Sequence, residues 1–227
     1  MSLSPFSFIT YIISILIAIA VHEWAHAFSA NRLGDPTARN EGRLTLNPIS
    51  HLDPLGAVMF IFVGFGWAKP VPVNPMYFRH PKRGMAITAI AGPFSNLVLA
   101  ALAFLLLAGI EVLDIPLLAD GAVNGGGASA AMTIFAQILR DSLNVNLALM
   151  AFNLLPVPPL DGSNILRMFI PLRWEEKYDD WLRIGPFVLL GVIIFESVTN
   201  IPLLSAWVGI IKGAILSLFL LLASGLS

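Results

Sequence analysis

Apolar positions along the chain fall in long uninterrupted runs, and the polar residues collect in short stretches between them. Neither the alternation of a half-buried strand nor the one-faced stripe of a soluble helix accounts for that pattern. The first run, Phe6 to about Ser29, is long enough to cross a hydrocarbon core of about 30 Å as a helix. About Gly84 to Glu111 and about Ala130 to Leu155 predict a second and a third spanning helix. About Ile184 to Thr199, which is short, and about Pro202 to Ala223 predict two more. The expected fold is an all-α polytopic membrane protein with about five transmembrane helices, residues 1–227 forming a single membrane domain.

Asn31 to Pro81 breaks this rhythm. Gly34-Asp35-Pro36 ends a helix, Arg43-Leu44-Thr45-Leu46 alternates like a strand, and Asn47-Pro48 stops it. Leu55 to Gly66 is apolar but only twelve residues long, too short to span, so it predicts a re-entrant segment or a membrane-inserted β-hairpin. Trp67 to Pro75 is held extended by its prolines and returns the chain to the same surface. Later, Gly121 to Ser129 reads as a flexible connection beside the acidic Glu111, Asp114 and Asp120, and Arg140-Asp141 as an interfacial pair in the third helix. Leu155 to Leu160, with three prolines, cannot be regular helix. It delivers Asp161-Gly162 at membrane depth, ahead of a short helix that ends near Arg167.

Composition supports the membrane reading. Of the 227 residues 57% are hydrophobic and 12% charged, with a mean hydropathy of +0.81, which excludes an ordinary soluble domain. The net charge of −1 says nothing useful about partners, and no nucleic-acid partner is expected. With no cysteine, neither a disulfide framework nor a thiolate metal site can form. No positively charged leader precedes the first apolar segment, which is expected to be retained. Eleven of the thirteen Lys and Arg residues fall on one side of this layout. That predicts a multi-pass cell-membrane protein with that side in the cytoplasm and the N-terminus outside. Lys212, inside the last span, is the exception.

The chemistry sits in the first helix. His22-Glu23-Trp24-Ala25-His26 is an H-E-x-x-H pattern. Residues four apart share a helix face, so both imidazoles can reach one Zn²⁺, with Glu23 beside it as the general base of a metallopeptidase. Such sites need a third protein ligand. The carboxylates at membrane depth are Asp161, Glu196 and Asp53, and the other histidines are His51 and His80. Asp161 is the best candidate, on a proline-broken backbone at the depth of His22, although an Asp there also suits a helix cap. Glu196 reads as interfacial, His80 as solvated, and His51 and Asp53 as polar loop residues.

His22 to His26 in a membrane helix, Ala91-Gly92-Pro93-Phe94-Ser95-Asn96 in the next, and Asn153-Leu154-Leu155-Pro156-Val157-Pro158-Pro159-Leu160-Asp161-Gly162 after it resemble the site-2 protease family of intramembrane zinc metalloproteases. Gly66 to Pro75 also resembles compact prokaryotic members. The likeness covers about residues 10 to 170. It implies one Zn²⁺ per chain held by His22, His26 and Asp161, Glu23 as catalytic base, and Asn96 and Asn153 near the active site, holding substrate or stabilising an intermediate. The implied activity is regulated hydrolysis of peptide bonds in or near transmembrane segments, with a membrane-protein substrate and the lipid bilayer as partners. No PDZ domain interrupts the protease core, about 6–170, and no cystathionine-beta-synthase-type domain follows it; the helices at about 184–223 are additional.

Two other classes share some of these features. A metal transporter would carry ligands along a path through both halves of the bilayer, whereas these cluster in one. A non-catalytic scaffold of the same fold would have lost Glu23 or a ligand.

Overall fold

The computed structural model describes residues 5–63, 66–112 and 130–225. Eight helices run through them: α1 Pro5–Arg32, α2 Thr37–Asn40, α3 Pro54–Val63, α4 Pro81–Val112, α5 Ala130–Asn153, α6 Asp161–Arg167, α7 Glu175–Thr199 and α8 Leu204–Ser224. Asp114, Asp120 and the predicted connection Gly121–Ser129 lie outside the described residues.

Helices α1, α4 and α5 pack against one another, α6 docks on α4, and α8 lies along α5. Small residues let α1 approach its neighbours: Ala18, Ala27 and Ala30 are fully buried. The α4–α5 seam holds Ala103, Leu107, Ile110, Ala136 and Leu139 at one level, and Ala100, Leu147 and Met150 at another. With little hydrophobic drive between helices in lipid, close packing and interhelical hydrogen bonds hold such a bundle together.

Among the described residues, four helices are long and apolar enough to cross a membrane: α1, α4, α7 and α8. This corrects the expected five. The remaining long helix, α5, has 24 residues, about 36 Å at 1.5 Å per residue. Its polar residues lower its hydropathy, and several of them bond inside the bundle. Asp141 accepts from Thr10 Oγ1 on α1 at 2.7 Å and from Gln137 Nε2 at 3.0 Å, so it ties α5 to α1. Ser14 Oγ donates to the Ile138 carbonyl at 3.2 Å.

The fourth span is longer than its apolar core suggests, because α7 begins at Glu175 with two charged turns. Those turns tie one end of the bundle together: Lys82 on α4 reaches Glu175 at 3.1 Å, and Arg167 on α6 reaches Asp179 at 2.7 Å. At the other end Glu196 caps α8, accepting from the backbone N–H groups of Leu203, Leu204 and Ser205 and from the Ser205 hydroxyl.

The β-hairpin does not form. Among the described residues the only strand-like pairing is an isolated antiparallel bridge between Leu52 and Ala68. Pro70, Pro72 and Pro75 supply no N–H for a ladder. Arg43 to Leu46 is spent on turns: Arg43 N–H bonds the Ala38 carbonyl at 2.7 Å, and the Thr45 hydroxyl accepts from Asn47 N–H at 3.1 Å. Most of the twelve-residue apolar segment is the ten-residue α3, about 15 Å long and unable to cross. Asp53 starts it, its Oδ1 accepting from Gly56 N–H at 2.8 Å.

Candidate metal centre

Helix α1 carries His22, Glu23 and His26, each at most 9% exposed, and turns the two imidazoles toward α4. Gly92 on α4 makes that approach close. A Cβ there would run into the Nε2 of His26 and the Cε1 of both imidazoles. Gly92→Ala is therefore expected to weaken zinc binding about tenfold, through displaced ligands, and to destabilise the fold by roughly 1–3 kcal/mol. Chelator competition and thermal unfolding in detergent measure the two effects.

Asp161 arrives from the other side. After α5 ends at Asn153, the proline-rich turn, which includes a cis Pro158–Pro159 bond, carries the chain to α6, and Asp161 is its first residue. The N-cap is Leu160, with no side-chain capping bond, so the Asp161 carboxylate is not spent on the helix end. Two contacts brace this turn: Ser163 Oγ donates to the Leu160 carbonyl at 2.7 Å, and Tyr178 Oη of α7 donates to the Ser163 carbonyl at 2.6 Å.

The three side chains converge. His22 Nε2 lies 3.0 Å from His26 Nε2, and each lies 3.3 Å from Asp161 Oδ2. No other group of three or more His, Asp or Glu residues suited to a metal occurs among the described residues. The far nitrogens fix the protons. His26 Nδ1–H donates to the Thr88 carbonyl at 2.7 Å, and His22 Nδ1–H to Asn96 Oδ1 at 2.6 Å. A neutral ring that carries its proton on Nδ1 presents a lone pair on Nε2, so in that state both Nε2 atoms face each other and a carboxylate oxygen that has no hydrogen-bond donor. Three buried acceptors facing one another repel unless a cation sits among them. Their spacing suits zinc, since a tetrahedral ion with bonds of about 2.0–2.1 Å sets its ligands about 3.3 Å apart.

Glu23 stands beside this group, and its Oε2 accepts from Val71 N–H at 3.0 Å. The extended segment crossing it is pinned on both sides. Arg43 donates to the Lys69 carbonyl at 2.7 Å, Lys69 N–H donates to the His51 carbonyl at 2.9 Å, and Asn74 N–H donates to Asp35 Oδ2 at 2.6 Å. Asp35 and His51 are fully buried.

The asparagines separate. Asn96 is fully buried behind His22, its Oδ1 on that imidazole and its Nδ2 on Asn146 Oδ1 at 2.7 Å and the Ala18 carbonyl at 3.4 Å. Both ends of its amide are engaged inside the bundle. Asn153 is half-buried, its Nδ2 donating to the Leu149 carbonyl at 3.0 Å. Glu196, His51, His80 and Asp53 take no part in the cluster. Sequence reasoning missed Thr88, which acts through its backbone, Asp35 and Arg43, and also Asn146, whose only signal is an amide inside a membrane-length helix.

No protein-family model and no solved structure matches the chain. Its relatives are informative. It is 38% identical over 218 residues to YwhC of Bacillus subtilis, provisionally named a zinc metalloprotease, covering 95% of this chain and 93% of that protein. It is 32% identical over 208 residues to Rip2 of Mycolicibacterium smegmatis, named in the same way, covering 88% of this chain and 70% of that one. The metal implied is Zn²⁺, and the four membrane-length helices make this a multi-pass membrane protein. From its relatives and from three convergent acceptors fit for that metal, the chain belongs to the site-2 protease family of zinc metalloproteases.

Proposed function

We propose that the protein is an intramembrane endopeptidase that hydrolyses peptide bonds in or near transmembrane segments of other membrane proteins, as a step of regulated intramembrane proteolysis. The observation that carries this reading is the buried triad of His22, His26 and Asp161 with the Glu23 carboxylate alongside, built on a membrane-length helix. His22, His26 and Asp161 hold the metal and Glu23 is the general base. Zinc bound there polarises the substrate carbonyl and acidifies water in its vicinity.

The chain's own groups do the rest. With Oε2 engaged by Val71 N–H, Glu23 Oε1 is the oxygen that takes the proton from the attacking water. As the C–N bond breaks, the same carboxylate returns that proton to the leaving amide nitrogen, so water is consumed and an acid and an amine are released. Asn153, half-exposed at the end of α5, is the amide offered to the substrate backbone; Asn96 acts from behind, on His22. A transmembrane helix must unwind locally to present a carbonyl, because its own i to i−4 hydrogen bonds hide it.

Charge supports the orientation. The ends of α1 and α6 and the start of α4, marked by Arg32, Arg167, Lys82 and Arg83, lie toward the metal site, so the site opens to the cytoplasmic side of the cell membrane and the N-terminus lies outside.

Purified protein in detergent, given a panel of single-span membrane peptides, is expected to cut at least one, and chelator treatment is expected to abolish cutting. Cleavage that survives zinc removal would overturn the assignment. Zinc uptake into proteoliposomes without cleavage would favour a transporter instead.

A further inference from the structure

Asn146 lies in the middle of α5, fully buried, and touches neither the metal cluster nor lipid. Its amide is nonetheless committed in one direction. Nδ2 donates to the Ser142 carbonyl at 2.8 Å and contacts Ser142 Oγ at 3.2 Å. A carbonyl only accepts, so this bond fixes which end of the Asn146 amide is oxygen. That oxygen faces α4 and accepts from Asn96 Nδ2 at 2.7 Å. Asn96 is thereby turned with its own oxygen toward α1, where it accepts from His22 Nδ1 at 2.6 Å.

From this chain of bonds we infer that Asn146 is a positioning residue for the metal centre. It sets the polarity of the Asn96 amide, and through it holds His22 in the tautomer whose Nε2 lone pair faces His26 and Asp161. The geometry leaves little alternative. If Asn96 flipped, its oxygen would face the Asn146 oxygen, and its NH₂ would point at His22 Nδ1. The proton would then belong on Nε2, where it blocks the metal. Among the described residues, the long 3.4 Å contact from Asn96 Nδ2 to the Ala18 carbonyl is the only other restraint on that amide. Buried outer partners of this kind fix ligand tautomer and orientation, and losing one costs about 10–100-fold in metal affinity.

The inference rests on His22 being a zinc ligand, so its test includes a readout that needs no zinc. Full-length protein labelled with ¹⁵N-histidine in lipid nanodiscs reports the His22 tautomer in the metal-free state, with His22→Ala assigning the signals. The wild type is expected to show Nδ1 protonated and Nε2 bare. Asn146→Leu is expected to give a mixture of tautomers or the opposite one, and to weaken zinc about tenfold in chelator competition. If Asn146→Leu does not fold, Asn146→Ser serves, because its hydroxyl bonds back along the helix but cannot reach Asn96. Since Asn146 acts only through Asn96, the Asn96→Leu/Asn146→Leu double variant is expected to bind zinc no more weakly than Asn96→Leu alone.

An unchanged tautomer in Asn146→Leu, or additive losses in the double variant, would reduce Asn146 to helix packing and overturn the inference. A tautomer that shifts as expected, in a protein whose wild type binds no zinc, would uphold the relay and refute the metal assignment.

Discussion

Glu23→Gln is expected to lower peptide hydrolysis by about 10²–10⁴-fold while zinc remains bound at one per chain. Glutamine keeps the shape of the carboxylate, and its carbonyl oxygen can still accept the 3.0 Å bond from Val71 N–H, so the segment crossing the site stays in place. Proton transfer is the property lost. The fall should appear in kcat, with zinc content and unfolding temperature close to wild type. A variant that loses zinc as well would show Glu23 to be a ligand rather than a base.

His26→Ala is expected to have the larger effect on the metal. It removes one of the three proposed ligands and leaves the Thr88 carbonyl without its imidazole donor. Zinc occupancy should drop from one per chain to near zero at micromolar zinc, and hydrolysis should vanish with it. Zinc also stabilises whatever it binds by mass action, about 2.7 kcal/mol at a hundredfold excess over its dissociation constant. The wild type should therefore unfold at a higher temperature when zinc is added, and His26→Ala should not. Asp161→Asn keeps an oxygen in place but removes the charge, so weakened rather than abolished binding is expected there. A zinc-dependent stabilisation surviving in His26→Ala would contradict the triad.

The part of the site that is local in sequence could be read from it. His22 and His26 are one helical turn apart, so their meeting follows from helix geometry alone. Asp161 could be reached because three prolines forbid helix just before it and a short side chain at membrane depth has few other uses. The support behind these residues is tertiary and has no such signature. Thr88 contributes a carbonyl, which any residue would supply; Gly92 matters only because α1 crosses at that level; Asn146 needs the α4–α5 register to meet Asn96.

The same distinction explains the corrections to the fold. Arg43-Leu44-Thr45-Leu46 alternates as a strand does, but a strand needs a partner with free N–H groups, and the returning segment is interrupted by Pro70, Pro72 and Pro75. The helix α5 reads as a span by length, yet its polar residues include Gln137, Asp141 and Asn146, which bond to one another or to neighbouring helices rather than facing lipid. Periodicity registers those residues only as lost hydropathy.

X-ray absorption at the zinc edge, on protein loaded with zinc and stripped of excess, tests the central claim most directly. One zinc per chain with two imidazole nitrogens and otherwise oxygen ligands is the predicted result, the imidazole signal falling to one in His22→Ala should any metal remain. No bound zinc, or zinc carrying a single imidazole in the wild type, would contradict the assignment of His22, His26 and Asp161 as the metal centre.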